Sequence, residues 1–313
     1  MAEIIVTEFM DPAALRHFSG RYDVLADETL VDDPQRLVDS LNAARCLIVR
    51  NRTQVDEQVL DAAPTLEVIG RLGVGLDNID LPACEARNIR VCPATGANDL
   101  AVAEYVIAGT LMMLRGAYNA SEQVLQGAWP RQALTGRETA QRVLGLVGFG
   151  GIAREAAKRA KALGMQVLAH DPFVPADDPD WGQIASRAET LRGLLENADV
   201  VSLHVPYNAE TRHLIDAEAI AAMKPEAILI NAARGGIVDE SALASALTEQ
   251  RLGGAMLDVF EQEPLPDNSV LVGAPNLVVT PHIAGVTVES NQRVSDLTAR
   301  NVLTVLEEND RGH

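Results

Sequence analysis

The sequence predicts an α/β protein of two doubly wound parallel-sheet domains, the larger inserted into the smaller. Three observations predict it. Residues 3–92 alternate short apolar runs with helical patterns joined by short connections. A second and longer series of the same kind runs from Val143 to Val279. A helical pattern from about Thr287 to Leu306 then has the length to return to the first series. Strand–helix–strand repeats with short links favour parallel sheets covered by helices on both faces. The expected division is 1–97 with 287–313, and 98–286.

In the first series the strand candidates are Ile4–Val6, Cys46–Val49, Leu66–Ile69 and Ile89–Val91. Helical spacing fills Asp33–Ala44, Gln54–Ala63 and Leu81–Arg87 between them. The glycines of Gly70-Arg71-Leu72-Gly73-Val74-Gly75 follow a strand, where they let backbone amides approach a small ligand. Asn98 or Asp99 then caps a long helix to about Arg115. That helix is apolar on most faces, so it is expected to be buried between domains or against another subunit. After a loop broken by Gly127, Pro130 and Gly136, strand candidates follow at Val143–Val147, Val167–Ala169, Val200–Leu203, Ala227–Ile230, Gly254–Leu257 and Leu277–Val279.

Bulk composition narrows the function. With 26 basic and 44 acidic residues the formal charge is −18. Such a surface repels nucleic acid and anionic membrane, and neither is an expected partner. It suits a very soluble cytoplasmic protein, and a high-salt source would favour it. Cys46, Cys84 and Cys92 are odd in number and lack C-x-x-C spacing, which fits reduced thiols and no metal site. The start, MAEIIVTEF, has no basic region before its short apolar run. The longest apolar stretch, Val102–Leu114, is interrupted by Glu104 and is too short to span a bilayer.

The stretch from Arg142 to Pro172 reads as strand, glycine turn, helix, strand and acid. This is the sequence form of a dinucleotide-binding unit. Gly148 permits the tight turn, and Gly150 lets the backbone approach a pyrophosphate. The positive end of the following helix favours that anion. Asp171 can accept hydrogen bonds from both hydroxyls of an adenosine ribose. No Arg or Lys stands beside it to meet a 2′-phosphate, so NAD is expected rather than NADP. Ala153 occupies the place of the third glycine.

Ligands of open parallel sheets bind at the carboxyl ends of the strands. Arg234, Glu263 and His282 each lie just past such an end. A cation, a carboxylate and an imidazole beside a nicotinamide suit oxidation of a 2-hydroxy acid. The arginine holds the carboxylate and polarises the carbonyl. The histidine takes the hydroxyl proton, and the glutamate orients the ring and raises its pKa.

The chain resembles the D-isomer-specific 2-hydroxyacid dehydrogenases, nearest the phosphoglycerate and sulfolactate dehydrogenase type. The matching segments are Gly70–Asp80, the glycine turn, Asn231–Glu240, Leu257–Phe260 through Glu263-Pro264, and Thr280–Gly285. The resemblance implies a Rossmann NAD-binding domain inserted into a flavodoxin-like substrate domain, and a homodimer. It places the catalytic residues at Arg234, Glu263 and His282. Glu263 is chosen over Glu261 because it directly precedes the proline. The implied cofactor residues are Gly148, Gly150, Gly151, Ile152, Asp171, His204, Val205, Pro206, Thr211, Ala232, Arg234, Asp258, His282 and Gly285. Among them Asp258 is expected to meet the nicotinamide carboxamide, and His204 to Pro206 with Thr211 the adenine side. Val74 and Gly75 are expected to offer amides to the substrate carboxylate. Many relatives carry a basic residue where Gly151 stands and glycine at Ala153, so a somewhat looser pyrophosphate clamp is expected. Some phosphoglycerate dehydrogenases continue into a C-terminal regulatory domain. The end at His313 leads to the expectation that this domain, and serine feedback through it, are absent.

The substrate is expected to be a small anionic 2-hydroxy or 2-oxo acid. Arg52 in the segment Arg50-Asn51-Arg52-Thr53 after a first-domain strand, Arg71 and Arg131, with Arg234 and His282, are the candidate contacts. Several arginines in so acidic a chain point to a second anionic group at C3, as in 3-sulfolactate or 3-phosphoglycerate. A hydroxypyruvate or glyoxylate reductase is the alternative. A corepressor-like NAD-sensing module is the alternative of another class.

Overall fold

The computed structural model describes residues 2–312. They divide into two compact units, one reaching to Asn98 and resuming at Val286, the other Asp99–Gly285.

The first unit holds five parallel strands: β1 (Ile4–Val6), β2 (Val24–Ala26), β3 (Cys46–Val49), β4 (Val68–Arg71) and β5 (Arg90–Pro93). Their order is β2-β1-β3-β4-β5, a doubly wound sheet whose order reverses at β1. β1 and β3 are buried along their whole length, so they read as unbroken apolar runs. β4 and β5 begin later than expected, because Leu66 and Ile89 pack into the core ahead of the strands. β2 is a half-buried edge strand, and its short VLA run had not been read as one.

Aspartates set where the helices here begin. Asp33 accepts from Arg36 N–H and starts Pro34–Ser40; Asp56 accepts from Val59 N–H and starts Glu57–Asp61. A side-chain oxygen that satisfies a free helical N–H fixes where the helix begins. The last helix, Val288–Gly312, returns to this unit and packs on β4. A Cβ on Gly70 would lie 2.8 Å from both Thr298 Cγ2 and Val302 Cγ2. Gly70 therefore serves helix packing, a correction to its expected use in backing a ligand.

The second unit holds β6 (Val143–Val147), β7 (Gln166–His170), β8 (Ser186–Arg187), β9 (Val200–Leu203), β10 (Ile228–Asn231), β11 (Gly254–Leu257) and β12 (Leu277–Val279). All pair in parallel, in the order β12-β11-β10-β9-β6-β7-β8. The order reverses between β6 and β9, which places the glycine turn after β6 at the switch point. Helix Gly151–Ala162 buries Ala153, Ala156, Ala157 and Ala160. Ala153 is fully buried in this core, so its methyl group is accommodated where a third glycine was expected.

Helix Asp99–Arg115 packs on helix Gly151–Ala162 and on β10 and β11. A Cβ on its Gly109 would lie 2.5 Å from Met256 Sδ. One face of the helix, with Val106, Gly109 and Leu114, is thus buried inside the second unit, while Leu100 is exposed and Ile107, Leu111 and Met112 are half-buried. Among the described residues no helix is long and apolar enough to cross a membrane.

Gly70→Val should overpack the contact of β4 with the last helix and cost about 1–3 kcal/mol. A urea melt followed by circular dichroism measures it; an unchanged midpoint would refute the packing role.

Candidate active site

Three loops at the carboxyl edge of the larger sheet carry the reactive side chains. After β10, the buried Asn231 ties its own loop: Oδ1 accepts from Ala233 N–H at 3.0 Å, and Nδ2 donates to Arg234 O at 2.9 Å. A Cβ on Gly235 would overlap the carbonyl of Phe260. Glycine at 235 thus lets the Arg234 loop press against the loop after β11. Arg234 itself is half-buried, with Nη1 donating to Ala233 O at 2.6 Å.

After β11 comes Asp258, which is 1% exposed. Its Oδ1 accepts from Thr280 Oγ1 at 2.5 Å and Ile283 N–H at 2.8 Å, and its Oδ2 from Ala284 N–H at 2.8 Å. Its backbone carbonyl accepts from His282 N–H at 2.8 Å. The carboxylate grips the loop that follows β12 on both sides of His282. His282 adopts φ +52°, a left-handed conformation that costs a non-glycine residue about 1–3 kcal/mol unless its surroundings impose it. Asp258 and its donors impose it. Tyr105 Oη bonds Thr280 Oγ1 at 2.6 Å. Because Thr280 gives its proton to Asp258, Tyr105 donates here. Burial pushes the Tyr105 hydroxyl up to about 12, so it stays protonated for this role.

His282 Nδ1 meets Glu263 Oε2 at 2.7 Å, while Glu263 Oε1 accepts from Phe260 N–H at 3.1 Å. Burial pushes the Glu263 carboxyl up, but the His282 hydrogen bond and charge, the Phe260 N–H and the Arg234 charge outweigh it. The net direction is down, so Glu263 is ionised at neutral pH. Glu261 goes elsewhere: its N–H donates to Glu240 Oε1 at 2.7 Å and its Oε1 lies 3.2 Å from His213 Nε2.

The glycine turn fits a dinucleotide. Gly148 has φ +90°, and a Cβ there would sit 2.6 Å from His204 O. Gly150 caps the helix with no atom within 4 Å of where its Cβ would be, leaving an open face above the first amides. Ile152 in the first turn is half-buried. Asp171 accepts from Phe149 N–H and Phe173 N–H, both at 2.9 Å, which ties the turn to the end of β7. His204 Nε2 bonds Ser202 Oγ at 3.0 Å, and burial pushes its imidazole down to about 4. Val205 packs toward Gly148, and Thr211 Oγ1 donates to Pro206 O at 2.6 Å. Ala232 and Gly285 are half-buried on the loops after β10 and β12.

In the first unit, Glu8 is 7% exposed and accepts from the N–H groups of Arg50, Arg52 and Thr53. This fixes the turn after β3 and sends alternate arginines opposite ways. Arg50 is half-buried, with Nη2 donating to Asn291 Oδ1 at 2.7 Å. Arg52 pairs with the exposed Asp32. After β4, Arg71 Nη1 donates to Leu72 O at 2.7 Å, and a Cβ on Gly73 would overlap the same guanidinium. Val74 is exposed and Gly75 half-buried just beyond. Arg131 is exposed on the second unit.

The NAD-binding domain model of the D-isomer specific 2-hydroxyacid dehydrogenases matches residues 107–284. The chain belongs to this family. It is 59% identical over 306 residues to an (S)-sulfolactate dehydrogenase of Chromohalobacter salexigens, covering 98% of this chain and 99% of that one. It is 36% identical over 311 residues to a D-3-phosphoglycerate dehydrogenase of Synechocystis, covering 98% of this chain but only 54% of the relative. Among solved structures, the TT0316 protein of Thermus thermophilus superposes with a TM-score of 0.87 at 36% identity, over 97% of each chain. The protein is an NAD-dependent 2-hydroxyacid dehydrogenase.

Reading the sequence missed Tyr105 and Thr280. Thr280 stood within a matched segment, two residues before the histidine. Tyr105 carried no signal, since its contact bridges 175 positions and lies on a helix read only for its apolarity.

Proposed function

We propose that this dehydrogenase interconverts 3-sulfolactate and its 2-oxo acid, with Arg234, Glu263 and His282 as the catalytic residues. Two facts support the substrate. One is the 59% full-length identity to an (S)-sulfolactate dehydrogenase. The other, which carries the reading, is Arg50: a half-buried cation hydrogen-bonded to a neutral amide at the carboxyl edge of β3. Burial lowers its pKa against the raising charge of Glu8, so the guanidinium gains from an added anion. β3 pairs with β4 so that Val49 lies beside Arg71. Arg50 and Arg71 are therefore the arginines we assign to the sulfonate in place of Arg52, which pairs with Asp32, while Arg131 stays a candidate contact.

The chain's residues divide the work. Nδ1 of His282 donates to Glu263, which leaves Nε2 as the basic nitrogen that receives the hydroxyl proton. Arg234 holds the substrate carboxylate and polarises the C2 oxygen. Val74 and Gly75 offer amides to the same carboxylate. NAD, when bound, takes the C2 hydrogen with its electron pair. Gly148, Gly150, Gly151 and Ile152 hold its pyrophosphate, and Asp171 its adenosine ribose. Asp258, beyond the carboxamide contact expected of it, holds His282 in place.

The reading extends to the surroundings. A formal charge of −18 disfavours nucleic acid and anionic membranes as partners. Three free cysteines, two of them buried, fit a reducing cytoplasm. The support for a homodimer is the long helix, whose Leu100 is exposed and whose Ile107 and Met112 are half-buried, and the segment after it. Tyr118, Leu125 and Trp129 are 65%, 87% and 76% exposed, an apolar surface that a second copy would cover.

Turnover of 3-sulfolactate, 3-phosphoglycerate, glycerate and lactate with NAD tests the substrate. The sulfonate should be preferred, and Arg50→Ala should cost 3-sulfolactate about 2 kcal/mol in kcat/KM, roughly thirtyfold, with little change for lactate. Arg52→Ala should leave both nearly unaltered. Better wild-type use of glycerate or lactate would overturn the assignment and leave a hydroxypyruvate or glyoxylate reductase.

Glu263→Gln removes a negative charge 2.7 Å from the imidazole. Oxidation needs the unprotonated ring, and loss of the anion disfavours the imidazolium, so the acidic limb of the rate profile should move to lower pH. A limb that stays in place would refute the coupling. Sedimentation should find a dimer, and Leu125→Glu with Trp129→Glu should convert it to monomers. A wild-type monomer at assay concentration would refute the contact.

A further inference from the structure

The first turn of the dinucleotide helix holds an anion of the protein's own. A Cβ built on Gly151 would overlap Asp99 Oδ2, so this carboxylate lies directly against the first residue of helix Gly151–Ala162. Asp99 is also the first residue of its own helix. The positive ends of two helices thus converge on one carboxylate, a placement that favours the anion there. Glu155, one turn further on, has its charge offset by Lys158 and Arg159, each at 2.7 Å. Arg159 is in turn 3.9 Å from Glu104. No cation among these is directed to Asp99. Burial and the Glu155 charge both push the Asp99 carboxyl up.

We infer that Asp99 is an affinity-setting residue for the cofactor, a fixed carboxylate that opposes the pyrophosphate at the mouth of the dinucleotide helix. The inference rests on the assignment of that pyrophosphate to the turn Gly148–Ile152. The amides and dipole of this helix are the main attraction offered to it. Asp99 partly neutralises their field and places a like charge beside the bound anion. Glycine at 151 leaves the room that this carboxylate occupies. The result is a looser hold on both oxidation states of the cofactor. Where release of reduced cofactor limits turnover, that looser hold speeds the cycle.

Fluorescence titration of the full chain with NADH, and competition by ADP and by adenosine, tests this. Asp99→Asn keeps the shape and removes the charge. It should bind NADH and ADP about fivefold more tightly, a helix-end charge effect, and leave adenosine, which has no phosphate, unchanged. Asp99→Ala should show the same pattern if the asparagine variant does not fold. Unchanged NADH and ADP affinity in a folded variant would overturn the inference. Tightening that extends equally to adenosine would also overturn it, because shape rather than charge would be responsible. A folded Gly150→Val variant whose NADH and ADP binding is untouched would instead overturn the pyrophosphate assignment itself.

Discussion

The candidate active-site edge depends on one buried carboxylate. Asp258 is cut off from solvent, and its two oxygens accept a hydroxyl and two backbone N–H groups of the loop after β12. A buried charge is tolerated only when such donors surround it. Those donors are the residues that flank His282, so satisfying the charge and positioning the imidazole are one event. His282 then keeps a left-handed backbone and directs Nδ1 at Glu263. Tyr105 extends the same chain of hydrogen bonds onto the long helix. The geometry at the edge is therefore supported from beneath the sheet.

The acidic composition has a structural side. Asp11, Asp33, Asp56, Asp80, Asp216 and Asp239 each accept a backbone N–H at a helix start. Glu8 does the same for the turn after β3. Part of the negative charge thus offsets the partial positive charge of helix ends rather than serving the surface alone. Asp99 differs from these acids: it is the first residue inside its helix and lies against Gly151, at the start of the helix proposed to receive the cofactor. In such a chain each cation near a ligand matters, and Arg50, Arg71 and Arg234 sit at strand ends.

Most strands were legible because full burial on both faces leaves unbroken apolar runs. Val200–Leu203 and Gly254–Leu257 are buried throughout and begin and end where their runs do. Among the edge strands, Leu277–Val279 was legible although partly exposed, whereas β2 and β8, segments of three and two residues, were not. The helix read from Gln54 starts instead at Glu57, because the Asp56 carboxylate closes its first turn. The packing role of Gly70 was not legible, because the groups it meets, Thr298 and Val302, lie far along the chain.

Local order along the chain determined the fold class, the glycine turn after β6, and the three strand ends that bear Arg234, Glu263 and His282. Each of these is written in a few consecutive residues, because strand, turn and helix are local consequences of burial pattern and backbone freedom. Only the tertiary structure decided which arginine turns inward after β3, and that Tyr105, Thr280 and Asp258 act as one support. It also decided that Asp99 lies on Gly151. These are contacts between groups distant in sequence, and side-chain direction after a strand is set by packing and hydrogen bonding that no short stretch contains.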